Sequence, residues 1–188
     1  MNKTKTFLAA ALALATFCAQ AAGPLTSTNA VTLIADGITG YSAGISQTHS
    51  IAGDFVDVFN LTGLDGLLNV DGLLQTAGRN AMDISFSSIA LNGQQFDLSQ
   101  TVIGGYAGFK EMASLGQVNL DGPLVLTVSG HAGGPGIADG EAISASYSGS
   151  VNAMTVPEPT GLVLVATALA AAGFVSRRRS STNAQKSA

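Results

Sequence analysis

The chain has 188 residues, four formal negative charges in excess at neutral pH, one cysteine and no tryptophan. Its length allows one ordinary domain, and a single cysteine excludes a disulfide framework or thiolate cluster within one copy. The acidic balance argues against nucleic acid as a partner, because phosphate backbones require cationic surfaces.

Lys3 and Lys5 precede an uncharged apolar run from Phe7 to Cys18, and Ala19-Gln20-Ala21 follows. This is the pattern of a secretory signal peptide with an A-x-A site, and it predicts cleavage before Ala22. The Sec translocon and signal peptidase are the partners such a leader implies. Bulky Phe17 stands where a lipoprotein signal needs a small residue, so Cys18 reads as part of the leader. The exported body then has no thiol. Between Ala22 and Val156, Arg79 and Lys110 stand against nine aspartates and two glutamates, a net charge of −9. Such a body repels anionic lipid as well as nucleic acid.

Gly23 to Asn29 reads as a polar lead-in, and Ala30 to Ala35 as a strand ending at the turn Asp36-Gly37. Tyr41 to Ile51, rich in Ser, Thr and Ile, reads as a second strand. Phe55 to Leu61 is the strongest strand. Period two places Phe55, Asp57, Phe59 and Leu61 on one face and Val56, Val58 and Asn60 on the other. Apolar residues on both faces predict a central position in the sheet. Asp57 on a buried face must find backbone donors, a cation or a metal. A hydrogen-bonded structural aspartate is the plain reading; calcium held with help from Asp54, and a catalytic carboxylate, compete with it.

Leu64-Asp65-Gly66-Leu67-Leu68 recurs as Val70-Asp71-Gly72-Leu73-Leu74. Two copies are too few for a solenoid, so the pair reads as two Asp-Gly turns. Ala81 to Leu91 predicts a strand, and Asn92-Gly93 before Gln94 to Leu98 predicts a hairpin. Gly104, Gly105 and Gly108 mark a loose segment. Leu115 to Leu120, Asp121-Gly122-Pro123 and Leu124 to Ser129 read as strand, turn and strand. His131 to Gly140 is a glycine-rich loop, and Ala142 to Val156 a final long strand. About eight to ten short strands without a body helix predict an all-β fold, an antiparallel β-sandwich over residues 22–156. Phe55, Phe59, Phe86, Phe96, Phe109 and Tyr147 are its expected core aromatics.

Pro157-Glu158-Pro159 follows the last strand, and Thr160 to Ser176 carries no charge. A helix over that segment rises about 25 Å, against a hydrocarbon core of about 30 Å, the lower limit for spanning. Arg177, Arg178 and Arg179 form a basic stop, cytoplasmic under the positive-inside rule, with Ser180 to Ala188 as a cytoplasmic tail. The prolines keep the helix from running back into the preceding strand. A buried core helix is the competing reading, and three consecutive arginines at its end argue against it.

This C-terminal combination resembles the PEP-CTERM sorting signal of Gram-negative bacteria. Pro157-Glu158-Pro159 stands in the place of its signature, ahead of the apolar segment and the arginine cluster. The resemblance implies recognition and cleavage by exosortase, a multipass membrane cysteine protease. The chain is then held transiently in the inner membrane, its body in the periplasm, and released to the cell surface or beyond. The tail Ser180 to Ala188 departs from the pattern, since members usually end within a few residues of the arginines. Phe55-x-Asp57-x-Phe59 further resembles the motif of the FxDxF group of these proteins. Leu124-x-Leu126-x-Val128-Ser129-Gly130 and Tyr147-Ser148-Gly149-Ser150 resemble that group's ending. The family's setting implies a non-enzymatic surface or matrix protein associated with extracellular polysaccharide and biofilm.

Gly40-Tyr41-Ser42-Ala43-Gly44 matches the G-x-S-x-G pattern of serine hydrolases, which requires a strand, a sharp turn and a helix. Ile45 to Ser50 instead reads as extended, and no spacing brings His49 or His131 to Ser42. Two lone histidines do not make a zinc site. The loop His131 to Gly140 lacks the lysine of a phosphate-binding loop. No catalytic residue, metal ligand or cofactor is assigned. A glycan- or calcium-binding module is the competing function, and a small serine hydrolase the third.

Overall fold

The computed structural model describes residues 23–37, 40–103, 108–156 and 163–172. The body is predominantly antiparallel β-sheet. Its strands are β1 (Leu25–Thr32), β2 (Ile34–Ala35), β3 (Gly40–Ile51), β4 (Gly53–Gly78), β5 (Ile84–Leu91), β6 (Gln94–Gln95), β7 (Asp97–Ile103), β8 (Gly108–Ala132) and β9 (Ala142–Thr155). A 3-10 turn, Asn80–Met82, precedes β5, and one α-helix, α1, covers 163–172.

All nine strands share one hydrogen-bonded sheet, ordered β2-β3-β9-β4-β8-β5-β6, with β1 added to β4 and β7 to β8. Two strands organise it. β4 and β8 have 26 and 25 residues, where globular strands usually have about 3–10. They pair from Gly53 opposite Ala132 to Gly78 opposite Phe109. The first half of β4 carries β1, and its second half carries β9. The first half of β8 carries β7, and its second half carries β5.

The register breaks between Leu61 and Gly66, where Gly63 and Gly66 adopt φ of 105° and 81°. A side chain costs roughly 1–2 kcal/mol in the left-handed region, so glycine lets the strand bend without ending. Phe55 and Phe59 from one half of the sheet meet Tyr147 from the other, and a single buried cluster runs through both.

The expected separate strands are therefore joined. Gly66 lies directly opposite Gly122, so the turn residues of both strands coincide and the ladder continues through them. Asp65-Gly66 and Asp121-Gly122-Pro123 are bends within β4 and β8, not hairpin turns. Asp71-Gly72 is no turn either. The register shifts there by one residue, and a Cβ on Gly72 would stand 2.9 Å from Cζ of Phe96. The polar lead-in before Asn29 is also structured. It forms most of β1, whose Ser27, Asn29 and Val31 turn inward and whose pairing with β4 is parallel.

Other readings hold. Phe55, Asp57, Phe59 and Leu61 are buried, while Val56, Val58 and Asn60 are half-buried. β4 is flanked on both sides along this stretch, by β1 and β8. Asn92 and Gly93 take φ of 47° and 84°, as a two-residue hairpin requires, and close β5 onto β6. The expected cleavage site at Ala19, Ala21 and Ala22, the glycines Gly104 and Gly105, Pro157-Glu158-Pro159 and Arg177 to Arg179 lie outside the described residues. Of Thr160 to Ser176, only 163–172 is described, as a helix exposed at every residue. Among the described residues no helix is long and apolar enough to cross a membrane.

Candidate functional site

Period two in β4 sends Phe55, Asp57 and Phe59 into the core, and Asp57 is fully buried. Three other strands bring it donors. Ser27 of β1 lies beside Asp57 in the parallel register, and its hydroxyl donates to Oδ1 at 2.6 Å. His49 of β3 places Nε2 at 3.0 Å from Oδ2, and Tyr147 of β9 donates its hydroxyl to the same oxygen at 2.7 Å. Since a carboxylate oxygen only accepts, Nε2 of His49 carries the proton of that bond.

The two phenylalanines frame this node. The Phe55 ring stacks on His49 with centroids 4.2 Å apart. Phe59 and Phe86 meet Tyr147 edge-on at 6.4 and 5.5 Å. Gly130 lies opposite Phe55, and a Cβ there would come within 2.9 Å of Phe55 Cζ. The motif is a packed unit: two rings, a carboxylate between them, and a glycine that leaves them room.

Burial alone would raise the pKa of Asp57. The donors His49, Ser27 and Tyr147 together outweigh that effect and hold it below the usual aspartate value. Burial, and then the same carboxylate, push the Tyr147 phenol up. Among the described residues no buried side-chain nitrogen or oxygen lacks a hydrogen-bond partner. The node is thus a satisfied ionic centre, closed to an external ligand in this conformation.

It also lacks the arrangement of a hydrolytic triad. Ser27 donates to the carboxylate, whereas a nucleophilic serine must reach the imidazole. Ser42 lies within extended β3, opposite Asn152, with no nucleophile turn. It is seven residues from His49 on the same strand, so the two point to opposite faces about 23 Å apart. Asp54 does not join Asp57. It is exposed on the other face and accepts from Nδ1 of His131 at 2.9 Å, with Asp139 at 3.8 Å from Nε2. Among the described residues no group of three or more His, Cys, Asp or Glu side chains is placed to hold a metal ion.

A second carboxylate group lies toward β7. Glu111 of β8 is buried, and its Oε2 accepts from the Phe86 backbone N–H at 2.7 Å. That N–H is freed by the bulge between Phe86 and Ser88 in β5. Gln100 of β7 donates to Oε1 at 2.8 Å. Burial, and then the charge of Glu111, raise the pKa of Asp83, with partial relief from the Ile84 N–H. A cleft of about 180 Å³ opens beside Glu111, lined by Phe86, Leu98, Ser99, Gln100 and Met112.

Sequence reasoning found Asp57 and its need for donors but none of the three donors. Tyr147 carried a signal, because a buried phenol needs an acceptor. Ser27 and His49 carried none. No family model, curated protein or solved structure matches this chain.

Proposed function

We propose that the chain is an exported structural protein of the cell surface or extracellular matrix. The β body, a sandwich made by folding one sheet on itself, is the exported part. Signal peptidase removes the leader before Ala22, and the C-terminal element holds the body at the inner membrane until exosortase cuts near Pro157-Glu158-Pro159. In that setting the body associates with extracellular polysaccharide.

The observation that carries this reading is the arrangement at the C-terminal end. β9 ends at Thr155, and among the described residues the bond from the Val156 N–H to the Leu67 carbonyl at 3.0 Å is the last backbone tie to the sheet. The proline motif begins at the next residue. Beyond it α1 exposes Val163, Leu164, Val165 and Leu169, each more than half accessible. Thr167 returns its hydroxyl to the helix's own carbonyls, Val163 at 2.8 Å and Leu164 at 2.9 Å. An apolar helix whose one described hydroxyl is satisfied internally suits lipid, where an unpaired polar group is costly. The Phe55-Asp57-Phe59 node then serves rigidity: it locks four strands around one carboxylate.

The test is mass spectrometry of the C-terminal peptide from protein accumulated in cells with and without exosortase. Loss of residues 161–179 only where exosortase is present is the expected result. Recovery of that segment intact from surface-located protein in exosortase-bearing cells overturns the reading. Replacing Pro157 and Glu158 with alanine should retain the uncleaved form in the membrane fraction.

A further inference from the structure

The sheet has four terminal or added strands, and they are guarded unequally. β2 and β6 have two residues each, too short to template pairing, and the stretches of β3 and β5 that they leave uncovered turn mainly Gly44, Ser46, Thr48, Ser50, Ser85 and Ser87 outward. β1 has eight, but it exposes threonines at 26, 28 and 32 and one large apolar side chain, Leu25. β7 differs. Among the described residues its seven positions pair only with β8. It has no proline, no lysine and a single charge, Asp97, at one end. Leu98 and Gln100 lie opposite Ala113 and Glu111, both buried, so this face of β7 is the inner one. Yet Leu98 is 43% and Val102 68% exposed, so the inward-facing aliphatic residues of β7 are left largely uncovered.

The sequence of β7 is self-complementary about Gln100. When two copies run antiparallel with Gln100 opposite Gln100, Leu98 falls opposite Val102 and Ser99 opposite Thr101. Aliphatic residues meet on the inner face and hydroxyls on the outer one. Asp97 is kept about 20 Å from its counterpart, since six residues at about 3.3 Å separate them. A two-fold antiparallel edge of this kind is isologous and closes at two copies. We propose that β7 is a homodimer interface, pairing with β7 of a second copy in this register. The second half of the sheet then runs continuously across both bodies. Leu98 and Val102 of each copy cover one another beside the Glu111 cleft. The inference is independent of how the C-terminal end is processed.

The experiment uses the full chain in mild detergent, with Cys18→Ser as background. Sedimentation should give twice the monomer mass. Val102→Lys puts an ammonium opposite Leu98 and should return the chain to monomer mass with its far-UV spectrum unchanged. Leu98→Cys and Val102→Cys chains, differently tagged and mixed under mild oxidation, should yield the mixed disulfide in excess over either self-linked product. Thr28→Cys on β1 should yield no dimer. A monomeric parent, a Val102→Lys chain that stays dimeric, or preferential linking of Leu98→Cys to itself overturns the proposal.

Discussion

Asp57 and Asp83 are both buried aspartates of the same small core, and they titrate in opposite directions. Around Asp57 the neighbours are donors from three strands, with no second carboxylate among its bonded partners. Around Asp83 the strongest partner is the charge of Glu111, itself buried and committed to Phe86 and Gln100. Burial penalises both anions. What differs is whether the fold supplies donors or another anion. The first region is closed and cooperative, and the second sits beside the open edge of β7.

Removing the carboxylate from the closed region should have the largest effect. Asp57→Ala leaves the Ser27 hydroxyl, the His49 N–H and the Tyr147 hydroxyl buried without their acceptor. A loss of about 3–5 kcal/mol is expected, read by urea denaturation. Tyr147→Phe keeps the ring contacts with Phe55, Phe59 and Phe86 and removes one charge-assisted bond. It should cost about 1.5–3 kcal/mol. Equal costs for the two variants would mean that the carboxylate matters only through Tyr147.

The inward set Phe55, Asp57, Phe59 and Leu61 was legible because period two depends on nothing beyond the strand itself. The donors were not. Ser27, His49 and Tyr147 lie 30, 8 and 90 residues from Asp57 in sequence, and only pairing registers bring them together. The Asn92-Gly93 hairpin was legible since both residues favour positive φ. Asp65-Gly66 and Asp121-Gly122 carried the same kind of signal but mislead. A turn residue ends a strand only when its partner strand does not bend with it, and here Gly66 faces Gly122. The Glu111 bond to Phe86 depends on a bulge, which local composition does not announce.

Acid should separate the two regions. The folded pKa of Asp57 lies below its unfolded value, so the unfolded chain binds its proton first. Its stabilisation is complete above the unfolded value, about 3.9, and is lost as pH falls through the folded one. The stability gap between the parent and Asp57→Asn should therefore be constant near neutrality and close on acidification below about pH 4. A gap that stays constant to pH 2 would show that Asp57 does not ionise differently in the two states.

The smallest effect is expected at Asp83, with the opposite sign. Its folded pKa is raised, so ionising it at neutral pH works against folding, and that penalty disappears once the group is protonated. Asp83→Asn retains an oxygen for the Ile84 N–H while removing the charge that faces Glu111. It should raise stability near neutrality by less than about 1 kcal/mol, the scale of a single partly screened charge contact. The gain should shrink as pH falls from the raised folded value toward the unfolded one, where the parent's own aspartate becomes neutral. Glu111→Ala sets the bound on this argument, because it also removes the charge but orphans the Phe86 N–H. If both substitutions stabilised, repulsion would exceed the value of the bulge bond. If Asp83→Asn destabilised at neutral pH, the carboxylate itself, and not merely an acceptor oxygen, would be what the Ile84 N–H requires.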